Sequence, residues 1–373
     1  MIDNKTNNKR DLFVFAGQSN MMGACVYPAK EQMIYNNSFE YLHKPKRLGK
    51  KQGEFKNYAF PCGEFAYKNL EDAYKKENVI NGKSTINNYS LNSYFCPSMA
   101  NLKSEQDKSL IPFADFSEAT MPLASSLAPY IVNEWEKLGN KCAYSHIAKG
   151  GVAINYYFNQ EMIDSLNDLI LEYNLKSGEN LPLQTLCDNG ADYFFEKSKD
   201  FFIDSEDNFK GEDLSTKCFF FLQGESDANI DKNLYKLYLK TLWEYLKKIG
   251  FTHFFCIRVG FWGCDGIANV MKAQEEFCLE TEGAYMLTRV CSFIPYNGQN
   301  LDKWYAKDSV NDYLDCRDSF YGFVNDHVNE KGFKLISKSA IKNIKRVLID
   351  KTSTVLEDEL CLPLTETPIT ALP

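Results

Sequence analysis

The sequence lacks the patterns that mark metal-binding ribbons and disulfide scaffolds. Its 12 cysteines are scattered from Cys25 to Cys361 without a C-x-x-C pair, and it has only 4 histidines. This spacing argues against zinc ribbons and against a small disulfide-rich fold. Scattered single cysteines are typical of a reducing compartment, where the thiol serves as a small apolar core group, so we expect a cytoplasmic protein.

Long apolar runs are also missing. No window approaches the roughly 18 consecutive apolar residues of a membrane-spanning helix, so no membrane span is expected. The segment before Asp11 is polar and rich in Asn and Lys, unlike a secretory leader. A secreted chain trimmed of its leader fits the same pattern.

An excess of positive charge is absent as well. The 42 Lys and Arg residues are outnumbered by 50 Asp and Glu residues, which gives a formal net charge of -8. Such a chain does not favour a polyanion by bulk electrostatics, so nucleic acid is not an expected partner. Nothing in the sequence predicts the oligomeric state. The length of 373 residues fits two or three domains, or one α/β domain with large insertions.

Short apolar runs that stop at turn residues alternate with stretches of helical periodicity. The runs predict buried strands over 11–16, 142–148, 218–222, 254–259 and 284–290. The helical stretches cover 123–138, 162–173, 234–249, 267–279 and 332–349. Strands that alternate with helices of this length indicate parallel β-α-β units. The segment 27–118, which is polar and aromatic without this pattern, and part of 156–190 are predicted insertions.

Polar or glycine-rich turns follow three of these strands, and another precedes the last helix. In an open α/β sheet, ligand sites gather at the carboxyl ends of the strands, so chemistry is expected at these turns. The turns are Gly17-Gln18-Ser19-Asn20-Met21, Lys149-Gly150-Gly151, Gln223-Gly224-Glu225-Ser226-Asp227 and Asn325-Asp326-His327.

Each turn has a chemical and a structural interpretation. Ser19 can be a nucleophile whose own N–H meets a developing oxyanion, or a serine that caps a helix. The paired glycines Gly150 and Gly151 can offer backbone N–H groups to a ligand, or they can simply relax a turn. His327 is the one histidine with a turn signature on both sides, and it can be a base or a structural side chain.

Taken in this order, the turns resemble the SGNH (GDSL-like) hydrolase superfamily. They are most similar to its sialate O-acetylesterase and acetylxylan esterase group, carbohydrate esterase family 6, whose nucleophile block reads Gly-Gln-Ser-Asn-Met. The resemblance implies an α/β fold, a three-layer α/β/α sandwich with a central, mostly parallel, flavodoxin-like sheet. It further implies a single domain over 11–350, with insertions at about 27–118 and 156–190, and a C-terminal extension over 351–373.

The resemblance also assigns roles to the residues of these blocks. Ser19 is implied as the nucleophile of a serine esterase that forms an acyl-enzyme, and His327 is implied as its base. Oxyanion or substrate contacts are implied for Gly150, Gly151, Gln223, Gln18 and Asn20. Chemistry of this kind needs no metal and no organic cofactor.

The acid of the triad departs from the family pattern. The family places an Asp three residues before its histidine, and that position is Val324 here. Glu225, at the end of a central strand, is the favoured replacement. Asp326 is the less favoured one, because the side chains of consecutive residues generally diverge. In the third block, Leu222 replaces the leading His of the family.

By the same resemblance, the expected substrate is an O-acetyl group on a sugar, removed by hydrolysis. The tyrosines and phenylalanines of 27–118 can stack on sugar rings or pack a small core of their own. Two other functions stay open: an acyltransferase or non-carbohydrate esterase on this fold, and a degenerate fold that binds glycans without turnover. The loss of the Asp at Val324 favours the degenerate fold. Catalysis is favoured by the joint presence of Ser19, Gln223, Glu225 and His327.

Overall fold

Strands and helices alternate along the part of the chain that the structure, a computed structural model, describes. The described residues are 8–22, 33–43, 53–56, 58–59, 79–80, 83–84, 127–149, 151–187, 190–260, 266–293, 323–324, 327–328 and 330–352. Their strands are β1 Asp11–Gly17, β2 Met33–Ile34, β3 Phe39–His43, β4 Gly53–Lys56, β5 Tyr58–Ala59, β6 Val79–Ile80, β7 Lys83–Ser84, β8 Cys142–Ala148, β9 Lys217–Leu222, β10 His253–Ile257, β11 Ala284–Thr288, β12 Phe323–Val324 and β13 His327–Val328. Their helices are α1 Ser19–Met22, α2 Leu127–Lys137, α3 Gln160–Ser177, α4 Ala191–Asn208, α5 Lys232–Lys248, α6 Ile267–Glu280, α7 Val290–Phe293 and α8 Glu330–Leu348. Two 3-10 turns cover Ile154–Tyr157 and Glu225–Asp227.

Seven strands form one sheet, and six of them are parallel. Their order is β11-β10-β9-β1-β8-β3-β4, and β4 runs antiparallel to β3. Helices flank the sheet, as parallel strands require, because each parallel pair needs a crossover connection. The predicted α/β class with a central, mostly parallel sheet is confirmed. None of the helices in the described residues is long and apolar enough to span a bilayer.

Most predicted elements differ from the observed ones by a few residues at their ends. Strand β8 has the predicted bounds. Helix α3 extends beyond the predicted 162–173 at both ends, because its capping residues lie outside that range. The side chain of Asn159 accepts a hydrogen bond from Met162 N, and Gly178 ends the helix in the left-handed conformation at φ 74°.

Part of the predicted insertion 27–118 joins the sheet. β3 pairs in parallel with β8, with Phe39 opposite Ala143 and Tyr41 opposite Ser145. No sequence pattern predicted this pairing, because β3 has only five residues and no flanking helical pattern. Pairing with β8 and β4, not local sequence, makes this segment a strand.

Two aromatic side chains of this segment are buried in the core. Tyr35 lies with its hydroxyl 3.0 Å from the hydroxyl of Tyr144. The Tyr41 hydroxyl donates to Asp204 Oδ2 at 2.6 Å, and the Tyr41 ring packs on Phe201. These two tyrosines therefore pack a core and form no sugar platform. Of the other candidates, Phe39 packs on Phe209 with ring centroids 5.6 Å apart, and Tyr58 lies in β5. The remaining ones, Tyr27, Phe60, Tyr67, Tyr89 and Tyr94, lie outside the described residues.

The chain divides into two compact units within β9. Unit 1 comprises Met1–Gly150 and Glu196–Phe220, and unit 2 comprises Gly151–Phe195 and Phe221–Pro373. The single domain over 11–350 stays a prediction.

The core of unit 1 is built on β1, all of whose residues are buried. Phe15 stacks on Phe220 with ring centroids 4.5 Å apart, and Phe13 packs on Trp135 at 6.1 Å. The Trp135 indole N–H donates to Asp11 Oδ2 at 3.1 Å, which satisfies its polar end. Burial of each such side chain stabilises the fold by about 1.5–3 kcal/mol.

Arg10 fixes the amino end of β1. Its Nε donates to Glu212 at 2.8 Å, and one terminal nitrogen donates to the carbonyls of Asn37 at 2.6 Å and Cys142 at 3.2 Å. The guanidinium lies 4.1 Å from the centroid of the Phe209 ring. A buried charge with this many partners links four separate segments of unit 1.

The core of unit 2 is aromatic as well. Phe221 packs on Tyr157 at 5.6 Å and on Phe254 at 5.7 Å, and Trp243 packs on Phe254 at 5.9 Å. Asn343 of α8 donates to the carbonyl of Leu287 in β11 at 2.9 Å. On the surface, Lys and Glu side chains join α5 to α6: Lys232, Lys236, Lys240, Glu276 and Glu280.

Asp231 caps the amino end of α5, because its Oδ1 accepts from Asn233 N at 2.7 Å and Leu234 N at 3.0 Å. We expect Asp231→Ala to lower the free energy of unfolding by about 1 kcal/mol, the usual cost of losing such a cap. Urea unfolding followed by circular dichroism measures this loss. Asp231→Ser keeps a capping oxygen and serves as the control. An Ala variant as stable as the wild type would contradict the assignment.

Candidate active site

The predicted nucleophile lies in unit 1, directly after its central strand. β1 ends at Gly17, and α1 begins at Ser19, which is 9% exposed. Gln18 and Asn20, on either side, are buried at 4% and 1%. A serine in this place is held at the carboxyl end of a parallel strand, where ligand sites of α/β sheets occur.

The turn after β8 starts beside this serine turn. β1 and β8 pair in register with Gly17 opposite Ala148, and Lys149 N donates to Gly17 O at 3.0 Å. Gly150, the next residue, lies outside the described residues. Within unit 1, the structure therefore brings the Ser19 turn and the start of the glycine block to adjacent strand ends.

His146, on β8, makes a hydrogen bond to the backbone of the turn that contains Ser19. Its Nε2 lies 2.7 Å from the carbonyl oxygen of Met21, the last but one residue of α1. Burial lowers the pKa of His146 to about 4, against which the Met21 carbonyl acts only weakly. The ring is therefore neutral at pH 7, and its proton sits on Nε2, because a carbonyl can only accept. The hydrogen bond to Met21 gives His146 a structural role.

In unit 2, the residues after the glycine pair are tied to the third block. Gly151 takes the left-handed conformation at φ 70°. Gln223 Nε2 donates to the carbonyl of Val152 at 3.2 Å, and Asp227 Oδ2 accepts from the N–H of Ile154 at 2.9 Å. Two predicted blocks, distant in sequence, thus meet in one network of hydrogen bonds.

Gln223 is fully buried, and its amide is engaged on both sides. Nε2 donates to the carbonyl of Val152 and, in a short hydrogen bond, to Asp227 Oδ2. Oε1 lies 2.7 Å from the hydroxyl of Tyr235. Because both amide hydrogens have acceptors inside unit 2, the expected donation by Gln223 to an oxyanion gains no support from this geometry.

Glu225 follows a glycine whose conformation and surroundings tolerate no side chain. Gly224 has φ 143°, and a Cβ there would lie 2.6 Å from Cγ1 of Val270. The chain therefore turns sharply after Gln223, and Glu225 opens the 3-10 turn with its side chain partly buried. The turn leaves the Glu225 side chain partly buried and the Asp227 side chain buried.

His327 lies on a short hairpin of unit 2. β12 and β13 pair antiparallel with Val324 opposite His327, and Asp326 lies outside the described residues. The backbone register thus pairs His327 with a valine, which has no carboxylate.

Asp227 is the site residue that sequence reasoning missed. Burial raises the pKa of its carboxyl to about 6, while hydrogen bonds from Gln223 and Ile154 act in the opposite direction. The sequence signal was present, since Asp227 closes the Gln-Gly-Glu-Ser-Asp string, but no role followed from it. Tyr235, whose hydroxyl donates to Gln223 Oε1, sits in a helical pattern that gives no functional signal.

Metal ligands do not cluster in the described residues: no group of three or more His, Cys, Asp or Glu side chains there is placed to hold an ion.

No protein-family model matches the sequence, and no curated protein matches it either.

The chain is similar to several solved structures. It matches a carbohydrate acetylesterase from Xanthomonas citri with a TM-score of 0.40 and 12% identity, over 90% of this chain and 56% of that one. It therefore spans little more than half the length of the Xanthomonas protein. It matches NanS with a TM-score of 0.45 and 11% identity, over 92% of this chain and 99% of NanS. A protein from Arabidopsis thaliana matches with a TM-score of 0.36 and 13% identity, over 74% of this chain and 84% of that one.

A carbohydrate acetylesterase is thus among the structures that this chain resembles. At these TM-scores and identities, the likeness assigns neither a residue nor a substrate.

The raised pKa of Asp227 predicts a pH-dependent stability. An aspartate whose pKa rises from 3.8 to about 6 on folding stabilises the fold below pH 3.8 and loses that contribution as the pH rises through about 6. The loss amounts to about 3 kcal/mol, at 1.36 kcal/mol per pKa unit. Asp227→Asn places an amide oxygen where Oδ2 accepts both hydrogen bonds, and it cannot ionise.

We expect the free energy of unfolding of Asp227→Asn, relative to wild type, to rise by about 2.4 kcal/mol between about pH 4 and about pH 8. Urea unfolding at both pH values measures the change. The comparison at the lower pH is the internal control, since both side chains are largely neutral there. Parallel curves for the two proteins would contradict the buried carboxylate.

Proposed function

We propose that the protein is a serine esterase that removes O-acetyl groups from a carbohydrate. The observation that carries the proposal is the place of Ser19, at the start of α1 and directly after the buried strand β1. The Gly150-Gly151 block begins at the adjacent strand end, since Lys149 N donates to Gly17 O at 3.0 Å. A hydroxyl beside unencumbered backbone N–H groups is the arrangement that acyl transfer needs.

The proposed reaction has two halves. His327 accepts the proton of the Ser19 hydroxyl while its oxygen attacks the ester carbonyl, and the tetrahedral intermediate collapses to an acyl-enzyme. The sugar hydroxyl leaves with the proton that His327 returns. Water then attacks the acyl-enzyme, again with His327 as base, and acetate is released. The residues do this without a metal or organic cofactor.

The oxyanion is proposed to meet backbone donors. The N–H of Ser19 and the N–H of Gly150 or Gly151 are the candidates, since the amide of Gln223 is engaged elsewhere. The proposed side-chain donor to the oxyanion is Asn20, and Gln18 is a further candidate contact in the same turn. Each such donor typically lowers the barrier by about 2.7–4 kcal/mol.

Glu225 is the proposed acid. Unit 1 contains the first part of β9, where Phe220 stacks on Phe15 of β1. Five residues further along the chain comes Glu225, after the sharp turn at Gly224. The opposite residue in the hairpin, Val324, cannot accept from the His327 ring, so the acid must come from another part of the chain. Asp326 is the alternative acid.

The substrate class rests on the motif resemblance. A hydrolysable acetyl ester on a sugar is proposed, and the alternatives are an acyltransferase, a non-carbohydrate esterase and a glycan-binding protein without turnover. These differ in products: hydrolysis releases free acetate, transfer moves the acetyl group to an acceptor, and a binding protein releases nothing.

Ser19→Ala tests the enzyme itself. We expect the wild type to release acetate from an aryl acetate and from acetylated glycans, and the variant to lose at least about 1,000-fold in kcat, as removal of a nucleophile does. Ser205→Ala is the matched control in the same unit, since its hydroxyl donates to Phe201 O within α4. Equal, slow release by the wild type and Ser19→Ala would remove the enzyme proposal. Acetyl transfer to an added sugar without free acetate would favour the acyltransferase.

Glu225→Gln and Asp326→Asn test which of the two carboxylates is the acid that orients His327. Loss of the carboxylate that orients the base costs roughly 100-fold or more in kcat, so Glu225→Gln should lose that much and Asp326→Asn less than about tenfold. Steady-state kinetics with an aryl acetate measures both, and circular dichroism checks that each variant is folded. The reverse ranking would assign the role to Asp326.

A further inference from the structure

The backbone that follows the glycine pair has few internal supports in unit 2. Residues Gly151–Ala153 belong to no helix or strand, and the 3-10 turn begins at Ile154. The third block supplies the missing partners: Gln223 Nε2 binds the Val152 carbonyl at 3.2 Å, and Asp227 Oδ2 binds the Ile154 N–H at 2.9 Å. This segment is therefore held by side chains from more than seventy positions away.

Asp227 makes both of its described hydrogen bonds through one oxygen. Oδ2 accepts from Ile154 N and from Gln223 Nε2. It therefore links the backbone at Ile154 to Gln223, whose side chain also binds this backbone segment. The residue is only 8% exposed. A buried acceptor shared by two donors fixes both of them in position, because moving either leaves a buried polar group unsatisfied.

Gln223 is itself held rigidly. The Tyr235 hydroxyl lies 2.7 Å from its Oε1, and Gln274 Nε2 donates to its backbone carbonyl at 2.8 Å. Gln274 Oε1 accepts in turn from Val259 N at 3.0 Å. These four side chains and backbone groups are buried, so the support rests on α5, α6 and the end of β10 and not on a surface loop.

We propose, on the basis of the esterase function proposed above, that Asp227 is a positioning residue for the oxyanion donors. Its Oδ2 fixes the backbone from Val152 to Ile154 and thereby the N–H of Gly151 just before it. Gln223 acts in the same support and not as a direct donor to the oxyanion. Donors must lie within hydrogen-bond distance of the developing charge, so a shift of about 1 Å costs on the order of 100-fold in rate.

The chemistry of this role separates two variants of the same residue. Asp227→Asn keeps an acceptor oxygen at the position of Oδ2, and it removes only the negative charge. Asp227→Ala removes the acceptor and frees both donors. If Asp227 acts through its charge, both variants lose kcat. If it positions the backbone, Asp227→Asn keeps its kcat and only Asp227→Ala loses it.

The test compares kcat and KM for an aryl acetate at about pH 8, well below the unfolding temperature. We expect Asp227→Ala to lose about 100-fold in kcat with KM within about threefold of the wild type. Asp227→Asn should stay within about threefold of the wild type in both. Asp231→Ala, the helix cap four residues on in the same unit, is the matched control that loses stability and keeps its kcat.

Amide hydrogen exchange gives a second readout that needs no activity. In Asp227→Ala the N–H of Ile154, which binds Oδ2, should exchange at least about tenfold faster, and in Asp227→Asn and Asp231→Ala it should keep its wild-type rate. If the wild type releases no acetate, the esterase function fails, and the exchange rates still decide whether Asp227 holds this segment.

Three results would overturn the inference. Equal loss of kcat in Asp227→Asn and Asp227→Ala would make the charge the active feature. Wild-type kcat in Asp227→Ala would remove the role altogether, and so would unchanged exchange in that variant. If Asp227→Ala does not fold, Tyr235→Phe takes its place, because it removes only the hydroxyl that holds Gln223. There a loss of about tenfold in kcat is expected, and no loss would overturn the inference.

Discussion

The pairing of β1 with β8 is the constraint from which the candidate site follows. Both strands are buried along their whole length, and their register runs from Asp11 opposite Cys142 to Gly17 opposite Ala148. A shift of the register by one residue would turn every side chain of a strand to its other face. The apolar cores on the two faces therefore fix the register, and the register fixes which turns start side by side. Ser19 follows one strand end and the glycine pair follows the other.

At the carboxyl ends of the strands, a buried network of polar side chains takes the place of apolar packing. Gln223, Asp227, Tyr235 and Gln274 bury amide, carboxyl and hydroxyl groups that are costly unless each finds a partner. The raised pKa of Asp227 shows that the cost is not fully offset. In return, the network gives a segment without regular structure a defined conformation. Sites that must hold backbone donors in place need this kind of support.

Local sequence predicted the regular elements where burial and periodicity coincide. The run Cys142–Ala148 is apolar or small except at His146 and ends at a lysine and two glycines, and the observed strand has the same bounds. The sheet edge was missed because β3 and β4 are short and depend on pairing with β8 and with each other. The predicted donation by Gln223 assumed a free amide at a strand end. The direction of an amide is decided by the acceptors around it, and Val152 and Asp227 come from parts of the fold that no local pattern reveals.

By itself, the sequence determined the α/β class, the order of the strands and helices that carry the blocks, and the residue types available for chemistry. These depend on hydrophobic periodicity and turn residues, which act between neighbours in the chain. Only the tertiary structure decided that Asp227 and Gln223 hold the Val152–Ile154 backbone, that His146 supports the turn of Ser19, and that Val324 stands opposite His327. Each of these depends on contacts between segments far apart in sequence, and such contacts are set by the packing of the whole core.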